Sequence, residues 1–171
     1  MKTVRTKVYQ FHELNEDAKQ KAIEWFLSGN DYSTAWEDIE EDAKQIGLKI
    51  ISLDGHRANE GEFMVSANEV AANIFREHGE MCETYKTAIK FMEQWEPVFA
   101  NYMDENHPDY ESSESGDKLM EMEDEFLHSL LEDYRIMYNE NIDYENSELY
   151  AIEMIEANEY DFTKDGNRFH Q

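Results

Sequence analysis

Apolar residues recur at helical spacing through most of the chain, and short β-rich runs interrupt them in only a few places. Ala18, Ala22, Trp25 and Phe26 fall on one side of a predicted helix over residues 16–28, with Asn15 as its cap and Gly29 as its stop. Tyr32, Trp36, Ile39, Ala43 and Ile46 mark a second helix over 31–46, which Gly47 ends. Ser66 and Glu69 have the spacing of a capping box ahead of a short helix bearing Val70, Ile74 and Phe75, closed by Gly79. Tyr85, Ala88, Met92, Trp95, Phe99 and Tyr102 line a longer helix over 83–104, which Pro97 is expected to kink or split. Leu119, Met122, Phe126, Leu130, Tyr134, Met137 and Tyr138 form the apolar stripe of a long helix over 118–140. Leu149, Ile152 and Ile155 mark a last helix over 146–158.

The strand signals are shorter. Residues 3–11 are rich in β-formers and partly alternate, 48–53 is a β run, Asp54-Gly55 begins a turn, and 61–65 reads as the returning strand. Residues 160–163 offer a final short strand. The expected fold class is therefore α+β: a small, mainly antiparallel sheet of about 3–4 strands packed with helices, and a helical, acidic C-terminal half. Residues 1–104 form the expected α+β core. The Ser-, Asp- and Glu-rich stretch 105–117 is the expected linker, and 118–171 the acidic helical part. The stripe over 119–138 closes either on the same chain or on a second copy as a homodimer.

Charge changes this picture more than any motif does. The net charge is −25, and residues 101–171 hold 21 acidic and only 4 basic residues. Aromatic residues make up 13% of the chain, too many for a disordered acidic polymer, so these helices must bury a core. Direct nucleic-acid binding requires the opposite sign, because Lys and Arg replace counterions at phosphates. Anionic membrane surfaces are disfavoured for the same reason. A basic protein is the complementary partner. Glu121, Asp124, Glu125, Glu132 and Asp133 lie mainly off the apolar stripe of the long helix and are the candidate contact residues.

Catalytic and metal-binding patterns are weaker. His78 and Cys82 stand four apart with Glu80 and Glu83 nearby, and are zinc ligands by type, with His56 as a remote third ligand. The competing reading, a capped helix end with a semi-buried thiol, accounts for the same residues and is preferred. Asp104 to Asp109 suggests calcium but fails as an EF-hand loop. Asp109 takes the glycine position, and Ser115 stands where the bidentate Glu belongs. No P-loop, G-x-S-x-G or H-E-x-x-H pattern is present. The expectation is a non-enzymatic binder without a cofactor. Cys82 is the single cysteine, which excludes an intrachain disulfide. The opening, Met1 to Lys7, leads into no long apolar run, so no secretory signal and a cytoplasmic location are expected.

The run Val8-Tyr9-Gln10-Phe11-His12-Glu13-Leu14, continued by Ala18, Lys19 and Ala22, reads V-Y-x-F-x-E-L-x-x-x-A-K-x-x-A. It resembles the opening of a group of small acidic proteins encoded by phages and prophages. Residues 41–50, 78–88 and 157–163 are similar to that group as well, so the resemblance spans nearly the whole chain. The group is largely uncharacterised, and some of its members are labelled antitoxin-like. The resemblance implies a phage or prophage origin and a host-cell cytoplasmic setting, and brings no catalytic residues with it. Joined to the charge, it leads to an accessory protein that blocks a basic, nucleic-acid-binding surface of a host defence protein, such as a nuclease or a CRISPR component. Such a protein would act as a nucleic-acid mimic. An antitoxin neutralising a basic toxin and a small metal-dependent enzyme are the alternatives.

Overall fold

The structure, a computed structural model, describes residues 7–30, 33–53 and 58–169. Among them lie six α-helices: α1 (Glu16–Ser28), α2 (Ser33–Ile46), α3 (Ala67–Glu77), α4 (Glu83–Met103), α5 (Ser113–Glu145) and α6 (Glu148–Ala157). Two strands, β1 (Leu48–Ser52) and β2 (Glu60–Phe63), pair antiparallel with Leu48 opposite Phe63 and Lys49 opposite Glu62. The chain divides into two compact units, one of Met1–Ala35 with Glu140–Gln171 and one of Trp36–Asn139.

The expected sheet of 3–4 strands does not form. The described residues hold one two-stranded sheet in a predominantly helical protein. Part of the run 3–11 lies outside the described residues; the rest pairs through Tyr9 alone, which exchanges both backbone hydrogen bonds with Phe162 at 2.9 Å. Phe11 starts a 3-10 turn two residues later, so the ladder has no room to extend. The Gln10 amide is directed to the Asp161 carboxylate (2.7 Å). The run 160–163 likewise contributes one bridging residue, Phe162, to Tyr9 and to Arg168. β propensity here marked residues that suit burial beside helices, not strands.

The Trp36–Asn139 unit is built from segments that follow one another in sequence. Ile39, Ala43 and Ile46 of α2, Leu48 and Ile50 of β1, and Val70, Ala71 and Ile74 of α3 are buried. So are Ala88, Phe91 and Trp95 of α4 and Leu119, Phe126, Leu130, Leu131 and Tyr134 of α5. Each large side chain so enclosed stabilises by about 1.5–3 kcal/mol before conformational entropy is charged. Phe91 and Phe126 stack face to face, 4.2 Å apart and 3° from parallel. Gly61 admits this packing, because a Cβ there would sit 2.7 Å from Leu131 Cδ2 and 2.8 Å from the Lys49 carbonyl oxygen.

Pro97 leaves α4 continuous from Glu83 to Met103. The carbonyl it deprives is that of Glu93, and both residues lie on the exposed side of the helix. α3 ends at Glu77 rather than at Gly79, with His78 as its cap. Ser66 makes no side-chain capping bond, and its carbonyl instead accepts from Glu69 and Val70. Turns occupy 105–111, and 113–117 already belong to α5.

The other unit joins the two ends of the chain. Asn15 caps α1 by accepting from the Ala18 amide (2.9 Å). Phe11, Leu14, Ala18, Ala22 and Ile23 are buried with Ala151, Ile155 and Phe162. Trp25 packs edge-on to Tyr160 and Phe162, and the Arg168 guanidinium lies 4.4 Å from the Tyr160 ring centre. Gly166 has φ +81°, and a Cβ there would lie 2.1 Å from the Ala18 carbonyl oxygen, so that position accepts no side chain.

Candidate functional site

α5 presents one side to the core and another to solvent. Leu119, Phe126, Leu130 and Tyr134 recur at intervals of seven and four and are buried. Glu114, Asp117, Glu121, Asp124, Glu125 and Glu132 are exposed and recur at intervals that keep them on one stripe. The row from Glu114 to Glu132 spans about 27 Å at 1.5 Å per residue. Its six carboxylates are thus spaced on average about 5.4 Å apart along the axis, against about 3.4 Å per phosphate along a single strand of duplex DNA.

The five expected contact residues are not equivalent. Glu121, Asp124 and Glu125 are exposed, and no ion pair engages them among the described residues. Glu132 is also exposed, but it is held by Arg135 (Nε to Oε2, 2.8 Å) and by the Asn59 amide (3.2 Å). The Arg135 guanidinium keeps the Glu132 carboxyl below its ordinary range. Asp133 is turned inward, half-buried, and accepts a 2.7 Å hydrogen bond from the Thr87 hydroxyl of α4. Burial pushes its pKa up, and the nearby Glu83 and Glu132 add to that push while the Thr87 bond opposes it. Asp133 is therefore part of the α4–α5 packing rather than of the exposed row.

Among the described residues, His78 and Cys82 belong to no group of side chains that could hold a metal ion. Cys82 is exposed. The His78 side chain is only 7% exposed; its Nδ1 lies 2.7 Å from the Thr84 hydroxyl and its Nε2 3.5 Å from the Asp42 carboxylate. His56 lies outside the described residues. Among those described, no three His, Cys, Asp or Glu side chains are placed to hold a metal ion together.

What surrounds His78 is a polar cluster that the sequence did not announce. Tyr134, fully buried on α5, donates to Asp42 Oδ2 on α2 at 2.7 Å. Burial, with the Asp42 carboxylate beside it, drives the Tyr134 phenol far above its ordinary value, so it stays a donor at any physiological pH. Asp42, His78 and Thr84 have the residue types of a catalytic triad. Thr84 is 1% exposed, however, so its hydroxyl cannot reach a substrate. The cluster ties α2, the α3–α4 turn and α5 together. Its members are spread over positions 42, 78, 84 and 134, so no local spacing betrays it.

Comparisons with protein-family models, with curated proteins and with solved structures found no match for the chain. No helix among the described residues is long and apolar enough to cross a membrane.

Proposed function

We infer that the protein is a non-enzymatic binder whose exposed α5 carboxylates engage a basic surface of another protein. The observation that supports this is the row of exposed acidic side chains over Glu114 to Glu132, mounted on a helix whose opposite side is locked into the core. With the helix backbone already fixed, only the side chains need ordering on association, and the charge acts on encounter rate and partner choice. The occupant best suited is a groove that normally holds nucleic acid, since its Lys and Arg side chains are already arranged for a line of negative charge. In the phage setting that the resemblance implies, this would be a groove of a host defence protein. Inactivating such a groove requires no catalytic group and no cofactor.

The test is affinity capture from infected-host extract at low and high salt, with wild-type protein and an E121K/D124K/E125K variant. Asp133 is left intact because it belongs to the packing. The expected result is a basic, nucleic-acid-binding partner retained at low salt, released at high salt, and lost in the variant while its circular dichroism is unchanged. A partner held equally well by the charge-reversed protein would overturn the reading.

A further inference from the structure

Between α4 and α5, beside the carboxylate row, lies a cavity of about 90 Å³, room for the head of one side chain. Its apolar lining comes from Met122 and from the edges of the stacked Phe91 and Phe126, both buried and presenting little surface to it. Its polar lining comes from Glu125, Gln94, Ser129 and Thr87, and Lys90 supplies the single cation of the lining residues. Glu125 thus serves two surfaces at once, the exposed row and the rim of this cavity.

We propose that the cavity is the anchor socket for one arginine side chain of the basic partner; this rests on the acidic-face reading above. The lining is mixed: Met122 and the small accessible edges of Phe91 and Phe126 suit the aliphatic stem, and the Glu125 carboxylate supplies the counter-charge to the guanidinium. The Gln94 amide oxygen and the Ser129 hydroxyl add neutral acceptors for the remaining N–H groups. A lysine ammonium, compact and strongly hydrated, uses such a lining less well. An anionic group is opposed by the field of Glu121, Asp124, Glu125 and Glu132. Lys90 works against the arginine, and no ion pair holds it among the described residues, so its flexible stem can swing the charge aside. The row then accounts for long-range attraction, and the socket accounts for the register in which the partner docks.

The experiment uses full-length protein labelled at the methionine methyl groups. It follows the Met122 signal during titration with N-acetyl-arginine amide and, in parallel, with the neutral isostere N-acetyl-citrulline amide. The expected result is a saturable shift with arginine in the millimolar range and a response to citrulline at least about ten-fold weaker. Glu125→Gln should weaken arginine binding about ten-fold, since it removes the charge-assisted partner. Lys90→Gln should tighten it several-fold, and Ser129→Leu, which fills the cavity, should abolish it. Unchanged circular dichroism establishes that each variant folds. No saturable shift, an equal response to citrulline, or weaker arginine binding in Lys90→Gln would overturn the socket. Failure here with salt-sensitive partner capture intact refutes only the socket. Partner capture that survives the charge reversal, with arginine binding by the wild-type protein intact, refutes only the acidic-face reading.

Discussion

The two compact units solve the burial problem in opposite ways. Trp36–Asn139 closes its core from consecutive segments, α2 through α5, so each piece meets neighbours that are near in sequence. The other unit must bring residues 9–27 onto residues 151–168, and it holds them with a single strand bridge, an aromatic cluster and the close approach of Gly166 to Ala18. Charge follows the same division. Trp36–Asn139 carries 26 acidic and 8 basic residues, and the unit of the chain ends 14 and 7. The more acidic unit is also the one with the larger core. Self-repulsion is tolerable where apolar burial is greatest and where the charge stands on the solvent side of a helix that spends its other side on packing.

This contrast can be broken at either end. Leu130→Ala empties a fully enclosed position and should cost about 3–4 kcal/mol. Native-state hydrogen exchange should then speed up in α3 and α4, while α1 and α6 keep their protection. Gly166→Ala should cost about 3 kcal/mol, because the new methyl meets the Ala18 carbonyl and the backbone is left-handed there. The same exchange measurement should show the loss in α1 and α6. If either substitution accelerates exchange throughout, the two cores unfold as one and the contrast is only geometric.

Asp133 sharpens the comparison at a smaller scale. Burial holds its folded-state pKa above the ordinary 3.8, so it binds its proton more tightly folded than unfolded. Its ionisation therefore subtracts stability as pH rises through the carboxyl range. Asp133→Asn keeps an acceptor for Thr87 and removes the charge. It should be slightly more stable than wild type at pH 7, by no more than a few tenths of a kcal/mol because solvent screens the half-exposed carboxylate, an advantage that fades as pH falls below the ordinary value. Chemical denaturation at several pH values reads this directly. A variant less stable at pH 7 would show that the ionised form is what Thr87 requires.

Much of the helical framework was legible because its signals are local. Asn15 capping α1, the β1–β2 pair and the heptad-like spacing of Leu119, Phe126, Leu130 and Tyr134 are all read within a few residues of one another. The same local reading misassigned the described part of the first run, 7–11, and 160–163. Tyr9 and Phe162 have strand-forming side chains, yet whether they extend a ladder depends on partners about 150 positions away. Among the candidate contact residues, exposure of Glu121, Asp124 and Glu125 followed from helical periodicity. Asp133 did not follow, because only the approach of Thr87 on α4 decides that its carboxylate points inward.

The amino-acid order alone settled the acidity, its gathering on a long amphipathic helix, and most helix limits, since periodicity and capping act over one or two turns. The tertiary structure alone decided three things. It joined the chain ends into one unit, assembled Asp42, His78, Thr84 and Tyr134 into a buried cluster, and set Glu125 at the mouth of a cavity. Each depends on helices meeting at particular faces, and that choice is made by side chains far apart in the chain competing for the same buried volume.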